Sequence, residues 1–177
     1  AGYSWSPDGT QVAFTARESA PRTRRDLEKK GFSQEAYEES VPFTRVHVAK
    51  LGEATPPRVL AIEGSASTIL WSPAGTQLAV AVAATPLVDD DLMARRVHVV
   101  DVQSGRSVAN LGNPGKLGAV AWSADGRHLA LVSAEDLNDP AAGRLLVAPA
   151  AGGPLRDVLP QYAGHVSAIA FRGNDTI

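Results

Sequence analysis

Three observations on this 177-residue chain predict an all-β fold, a partial β-propeller of about three four-stranded antiparallel blades plus the start of a fourth. The first is a repeat. Tyr3-Ser-Trp-Ser-Pro-Asp-Gly-Thr-Gln-Val-Ala-Phe14 returns as Ile69-Leu-Trp-Ser-Pro-Ala-Gly-Thr-Gln-Leu-Ala-Val80 and as Val120-Ala-Trp-Ser-Ala-Asp-Gly-Arg-His-Leu-Ala-Leu131. A degenerate fourth copy is Ile169-Ala-Phe-Arg-Gly-Asn-Asp-Thr-Ile177. The second observation is spacing: the anchors Trp5, Trp71, Trp122 and Phe171 recur at roughly 50 residues, with a longer first interval, which suits propeller blades better than helical solenoids. The third is that each of the first three copies is followed by two further strand-like runs, giving four strands per unit.

Within each unit the first two strands are short, apolar and separated by a turn. Ser-Pro-Asp-Gly supplies that turn, because Pro fixes φ, Asp accepts from nearby backbone N–H groups and Gly tolerates positive φ. Ala74 and Ala124 interrupt the turn sequence, so neither its Asp nor its Pro is chemically required. Third strands follow at Arg45–Ala49, Arg96–Val100 and Arg144–Ala148, the first two alternating apolar and polar in period two. Fourth strands are expected at Arg58–Ile62, Ser107–Leu111 and Leu155–Val158. This divides the chain into blade 1 at 1–63 with an insertion at 17–43, blade 2 at 64–113, blade 3 at 114–160, and the start of blade 4 at 161–177. A Trp at one phase of every repeat is expected to pack between blades.

Three blades and a fraction fall short of the about four to eight that close a ring. The chain also opens on Ala1 rather than Met and stops within a strand-like pattern at Ala168–Phe171 and Thr176–Ile177. The expectation is a piece of a larger ring.

Composition limits the function. With 17 Lys+Arg against 19 Asp+Glu, a net charge of −2 offers no basic field for nucleic acid or a membrane surface. No apolar run reaches the ~18–20 residues of a membrane span. The absence of cysteine removes disulfides and thiolate metal sites.

In a four-stranded meander, the loops joining second to third strands lie at one end. Here those loops are the long ones: Arg17–Phe43, Ala83–Arg95 and Ser133–Gly143. They should share one face, the candidate binding surface. In the largest, Thr23 and Asp26 have capping-box spacing and Gly31 could end a short helix. The loop reads either as a solvated surface segment or as a lip that contacts a ligand or another domain, with Tyr37-Glu38-Glu39 its most specific element.

Chemistry-bearing clusters are few. Glu38 and Glu39 could bind a substrate ammonium, since two adjacent carboxylates present several acceptors to one cation. Asp89-Asp90-Asp91 lacks the Gly and closing Glu of a calcium loop and reads as a solvated acidic loop. His47 and His98 fall at equivalent strand positions, while His128 and His165 are isolated, and no metal-binding histidine pattern occurs. Gly64-Ser-Ala-Ser-Thr68 departs from a nucleophile elbow at its last position. Phosphate-loop and dinucleotide fingerprints are missing as well. No catalytic residue, cofactor or metal site is expected in these 177 residues. Asn174-Asp-Thr176 matches a glycosylation acceptor.

The Trp-Ser-Pro-Asp-Gly-Thr-Gln repeat resembles the TolB-type propeller repeat, which binding proteins and enzymes share. Two further segments narrow the likeness. Arg25-Asp-Leu-Glu-Lys-Lys-Gly-Phe32, continuing through Tyr37-Glu-Glu-Ser40 into Pro42-Phe-Thr-Arg-Val-His-Val48, resembles the first-blade insertion of bacterial prolyl oligopeptidase family serine peptidases. Leu159-Pro-Gln-Tyr-Ala-Gly-His-Val-Ser-Ala-Ile-Ala-Phe171 resembles a later blade junction in the same proteins. The resemblance implies an N-terminal propeller that covers the active site and admits small peptide substrates. It also implies a C-terminal α/β-hydrolase domain as partner, carrying a Ser-Asp-His triad outside this chain. In the dipeptidyl-peptidase branch a propeller Glu pair holds the substrate's free amine, and Glu38-Glu39 partly matches its Tyr-Glu-Glu string. The alternative is a non-enzymatic TolB-like propeller that binds another protein.

Overall fold

The computed structural model describes residues 2–34 and 38–177. Three four-stranded antiparallel sheets follow one another along the chain, each a simple meander. Blade 1 comprises β1 (Tyr3–Trp5), β2 (Gln11–Arg17), β3 (Thr44–Lys50) and β4 (Arg58–Val59), with helix α1 (Arg22–Lys29) between β2 and β3. Blade 2 comprises β5 (Ser65–Trp71), β6 (Gln77–Ala83), β7 (Arg96–Asp101) and β8 (Ser107–Asn110), with α2 (Val88–Met93) at the same point. Blade 3 comprises β9 (Leu117–Trp122), β10 (His128–Ser133), β11 (Arg144–Pro149) and β12 (Arg156–Asp157). The sheets form an open, unclosed array.

Register makes the blades superimposable in sequence. Trp5 pairs with Val12, Trp71 with Leu78 and Trp122 with Leu129. Side chains alternate between faces, so each sheet has an anchor face bearing the Trp and a reverse face. The anchor face of blade 2 (Ile69, Trp71, Leu78, Val80, Val100) packs on the reverse face of blade 1 (Ala13, Val46, Val48, with Leu60). The anchor face of blade 3 (Leu129, Leu131, Leu146, Ala148) packs likewise on Ala79, Ala81, Val97 and Val99 of blade 2. Large side chains thus meet a reverse face whose second strand is alanine, which lets sheets approach closely.

The indoles add a polar tie to this packing. Trp71 Nε1 donates to the Ser4 carbonyl at 2.8 Å, and Trp122 Nε1 to the Leu70 carbonyl at 3.2 Å. In both cases the acceptor is the residue just before the preceding blade's own Trp. The anchors therefore do pack between blades, and they also fix how far each sheet slides on its neighbour.

The tight turns depend on a residue that the turn chemistry of Pro, Asp and Gly does not single out. Ser6, Ser72 and Ser123 are all buried, and their hydroxyls accept from the backbone N–H of Gln11, Gln77 and His128 at 2.9, 3.1 and 2.9 Å. Asp8 and Asp125 accept in turn from Ser6 and Ser123 at 2.6 and 2.7 Å, whereas Ala74 leaves blade 2 with serine alone. Gly9, Gly75 and Gly126 close the turns at φ of +70°, +72° and +70°.

Three expectations are corrected. The outer strands are shorter than the sequence pattern suggests; in blade 1 the pairing with β3 ends on the bond from Leu60 N–H to the Val46 carbonyl at 2.9 Å, and Leu60 and Ile62 fill the space between blades 1 and 2. Ala61 forms a single parallel bridge with Arg106 instead. Helix α1 begins at Arg22 behind Pro21, so Thr23 lies inside the first turn and no side chain caps it. Proline's preset φ suits this entry and competes with the Thr23 cap. Gly31 does end the helix, with φ +91° and the paired bonds Gly31 N–H to Glu28 and Phe32 N–H to Leu27. Finally, Ile169–Phe171 form no strand. The fourth repeat holds one bridge, Arg172 to Thr176, and lies along blade 3 through Val166 N–H to Gly143 and Ala124 N–H to Gly173. Without a second strand to share a ladder, its backbone groups pair elsewhere.

Candidate functional site: the face bearing the long loops

The long loops of blades 1 and 2 meet at the end where the meander places them, while the third long loop, 133–143, lines neither of the clefts there. Between blades 1 and 2 they enclose a cleft of about 680 Å³. Thr15 and Arg17 from the end of β2 form one side, Val41 and Pro42 another, and Val88, Asp91 and Leu92 of α2 a third. A second cleft of about 390 Å³ lies between α1 and residues 40–43, walled by Arg24, Glu28 and Phe43. Cation and carboxylate stand beside exposed apolar side chains in both clefts, a mix that suits a peptide-like ligand or a protein surface better than a purely apolar one.

The base of the blade 1 insertion is fastened to the sheet. Glu18 N–H donates to Phe43 at 2.8 Å, closing the neck of the loop. Arg45 donates to Glu18 Oε1 at 2.6 Å and to the Gly64 carbonyl at 2.8 Å, with its guanidinium 4.7 Å from the Phe43 ring centre. Arg24 bridges Glu28 at 3.0 Å and the Gln34 carbonyl at 2.8 Å. The lip is thus tied at its neck and across its helix. Arg45, Arg96 and Arg144 share one repeat position, the sequence signal for this clamp, although each uses different acceptors.

Glu38 and Glu39 sit on an exposed turn outside the walls of both clefts, and Tyr37 lies outside the described residues. Glu38 has φ of 62°, the one positive value at a non-glycine among the described residues. The two carboxylates are adjacent on the lip but are not brought together with Arg17, Asp91 or any histidine.

Asp89–Asp91 form the first turn of α2 rather than an irregular loop. Carboxylates favour that position because they face the helix's unpaired N–H groups, and Asp90 is further held by Thr85 Oγ1 at 2.6 Å. Among the described residues no group of three or more His, Asp or Glu is placed to hold a metal. His47 stacks on Phe14 at 5.3 Å, and His98 lies 3.3 Å from Ser107 Oγ. Burial pushes the His98 imidazole below its ordinary pKa. Both histidines occupy the anchor face at the same register, a structural use. In the third long loop Asp139 accepts backbone N–H groups of Ala141 and Glu135, which hold its carboxyl below the usual range. No described helix is long and apolar enough to cross a membrane.

Comparison with known proteins gives this face a context. No protein-family model matches the sequence. The fold is that of the TolB-type propeller: a solved TolB structure from Agrobacterium tumefaciens superposes with a TM-score of 0.55 over 92% of this chain and 50% of that one, at 13% identity. In sequence, the chain is 32% identical to the dipeptidyl-peptidase 5 of Trichophyton equinum over 97% of its own length. The enzymes of that name from Trichophyton schoenleinii and Arthroderma benhamiae match to the same extent. The chain spans 23% of the length of each of these relatives. It is therefore a TolB-like propeller segment homologous to part of the dipeptidyl-peptidase 5 enzymes.

Proposed function

We propose that this chain is propeller from a prolyl oligopeptidase family serine peptidase, where it gates substrate access and docks an α/β-hydrolase domain of the same polypeptide. The observation that carries this reading is the alignment with dipeptidyl-peptidase 5 across 97% of the chain. The gathering of the long loops on one face supports it, because a gate and a docking surface need variable segments presented by a rigid scaffold. The chain itself contributes no nucleophile. Its part is to bind, orient and exclude.

Within this reading Glu38 and Glu39 anchor the substrate's free amine. Adjacent carboxylates on an exposed lip can reach an ammonium group without first losing their own hydration to a buried site. The test uses the full-length polypeptide with chromogenic substrates bearing free or blocked amines. Replacing the pair as Glu38→Gln with Glu39→Gln is expected to raise KM for free-amine substrates by roughly tenfold, the scale of losing charge-assisted hydrogen bonds. Blocked substrates should respond little. Equal effects on both would remove the amine anchor. A full-length polypeptide without peptidase activity would favour the non-enzymatic propeller that binds another protein.

A further inference from the structure

Glu38 and Glu39 stand outside the cleft of about 680 Å³ between blades 1 and 2, so its lining calls for an account of its own. The floor is already satisfied. Thr15 Oγ1 accepts the Gly2 N–H at 2.9 Å, Ser65 Oγ accepts the Thr44 N–H at 3.2 Å, and Ser67 Oγ accepts from Arg95 at 3.3 Å. The walls are held in place as well. Glu18 N–H to Phe43 fastens one, Asp90 is taken up by Thr85 in the other, and Pro42 and Pro86 bring no N–H of their own. Two opposite charges and an apolar lining remain. The side chains of Arg17, which is exposed, and Asp91, which is half-buried, meet no hydrogen-bond or ion-pair partner among the described residues. Arg24, Arg45 and Asp90 around them are all paired. Val41, Val88 and Leu92 are exposed in the same cleft.

We propose that this cleft binds a short zwitterionic peptide, with the ligand's carboxylate on Arg17, its ammonium on Asp91 and its aliphatic side chains on Val41, Val88 and Leu92. Arg17 ends β2 of blade 1 and Asp91 lies on α2 of blade 2, so the two charges stand on opposite sides of the joint between blades. A single ligand neutralises both only if it carries both signs itself. A free ammonium and a free carboxylate joined by an apolar body form the simplest such molecule. Guanidinium meets carboxylate as a planar fork and ammonium donates to carboxylate, and both pairings are stronger than neutral hydrogen bonds. The volume falls within the ~300–1,000 Å³ of small-ligand sites, which likewise combine an apolar lining with a few placed polar groups. Because floor and walls are fixed before the ligand arrives, little ordering opposes binding. The competing occupant is the surface of another protein domain, which would close the cleft. The inference needs neither peptidase activity nor Glu38 and Glu39.

Calorimetric titration of the full-length polypeptide with the dipeptide valyl-leucine, its N-acetyl form and its C-terminal amide tests the site. Each cap removes one charge and should weaken binding about tenfold, the scale of one charge-assisted pairing. Two variants locate the loss. Asp91→Asn should bind the free and N-acetylated dipeptides about equally while still discriminating against the amide, and Arg17→Gln should do the converse. Caps without effect on the natural sequence overturn the proposal, and cap effects that persist unchanged in both variants overturn it by placing the peptide elsewhere. No binding of the free dipeptide overturns it too, and is the result a protein domain seated in the cleft would give. The natural sequence decides the matter even if a variant fails to fold. Saturating free dipeptide should slow phenylglyoxal modification of Arg17 about tenfold, and the amide should protect far less. Equal protection by both, or none, counts against the site. Dipeptide binding without peptidase activity would sink the proposed function alone, and peptidase activity without binding in the cleft would sink this inference alone.

Discussion

The strands of blade 2 and the long loop of blade 1 use similar lengths of chain in opposite ways. In β6 every residue from Leu78 to Ala83 is buried, alternate side chains serving the interfaces with blade 1 and blade 3. In α1 no residue is buried, and the helix is held by ion pairs along its surface and by Arg24 reaching the Gln34 carbonyl. Stability therefore concentrates in the repeated skeleton, and sequence freedom in the loops it carries. The loop-bearing face can change without loss of fold because the two regions share few interactions.

The sharpest way to break this comparison is a cavity in the skeleton. Leu78 is fully buried, paired with Trp71 on one side and Val100 on the other. Leu78→Ala is expected to cost about 2–5 kcal/mol, the range for truncating a buried leucine. Chemical denaturation would read it as a lower midpoint with an unchanged slope. A loss below about 1 kcal/mol would mean that the interface between blades collapses around the cavity, and that the skeleton is less rigid than its packing implies.

A smaller effect separates the turns from one another. Ser123→Ala and Ser72→Ala each remove a hydroxyl that accepts a strand N–H, for about 1 kcal/mol apiece. The turns differ in acid. Hydrogen bonds from Ser6 and Thr10 hold the Asp8 carboxyl below its ordinary pKa, and those from Arg127 N–H and Ser123 do the same for Asp125. A carboxylate whose pKa is lower folded than unfolded adds stability above the unfolded value and loses it as pH falls through the folded value. Turns 1 and 3 should therefore loosen below about pH 4, while the turn with Ala74 should not. Amide exchange at Thr10 and Arg127, compared with Thr76 across that range, checks the difference. Equal loosening in all three turns would show that the aspartates contribute nothing beyond the serines.

How much of this was legible in the sequence follows the same division. Trp5, Trp71 and Trp122 with their turns marked the first two strands of each blade, because alternation and turn chemistry act within a few residues. The shortened outer strands were not legible. Ile62 looks like a ladder residue locally, and only the neighbouring blade makes filling the gap between sheets the better use of it. Ser6, Ser72 and Ser123 stand at one position of the first three repeats, yet a serine beside such a turn gives no local sign that its hydroxyl will be buried. The clustering of the long loops followed from meander topology. The cleft joining Arg17, Val41 and Asp91 did not, since it depends on how one sheet rotates against the next.

The smallest expected effect lies in the lip itself. Arg22 pairs with Asp26 at 3.7 Å on α1, with the arginine side chain almost wholly exposed. Two long side chains held together in water gain little over their lost freedom, so Arg22→Ala should change stability by less than about 0.5 kcal/mol. Arg45→Ala is the informative partner to it. That side chain is three-quarters buried and fastens Glu18 and Gly64 beneath Phe43, so its removal should loosen the neck of the loop while leaving blades 2 and 3 intact. Hydrogen exchange would place the change at Glu18 and Thr44 and leave β6 and β10 unaltered. Exchange spreading into β6 would mean that the loop and the skeleton are energetically continuous, and the sequence freedom of the loop-bearing face would then need a different physical origin.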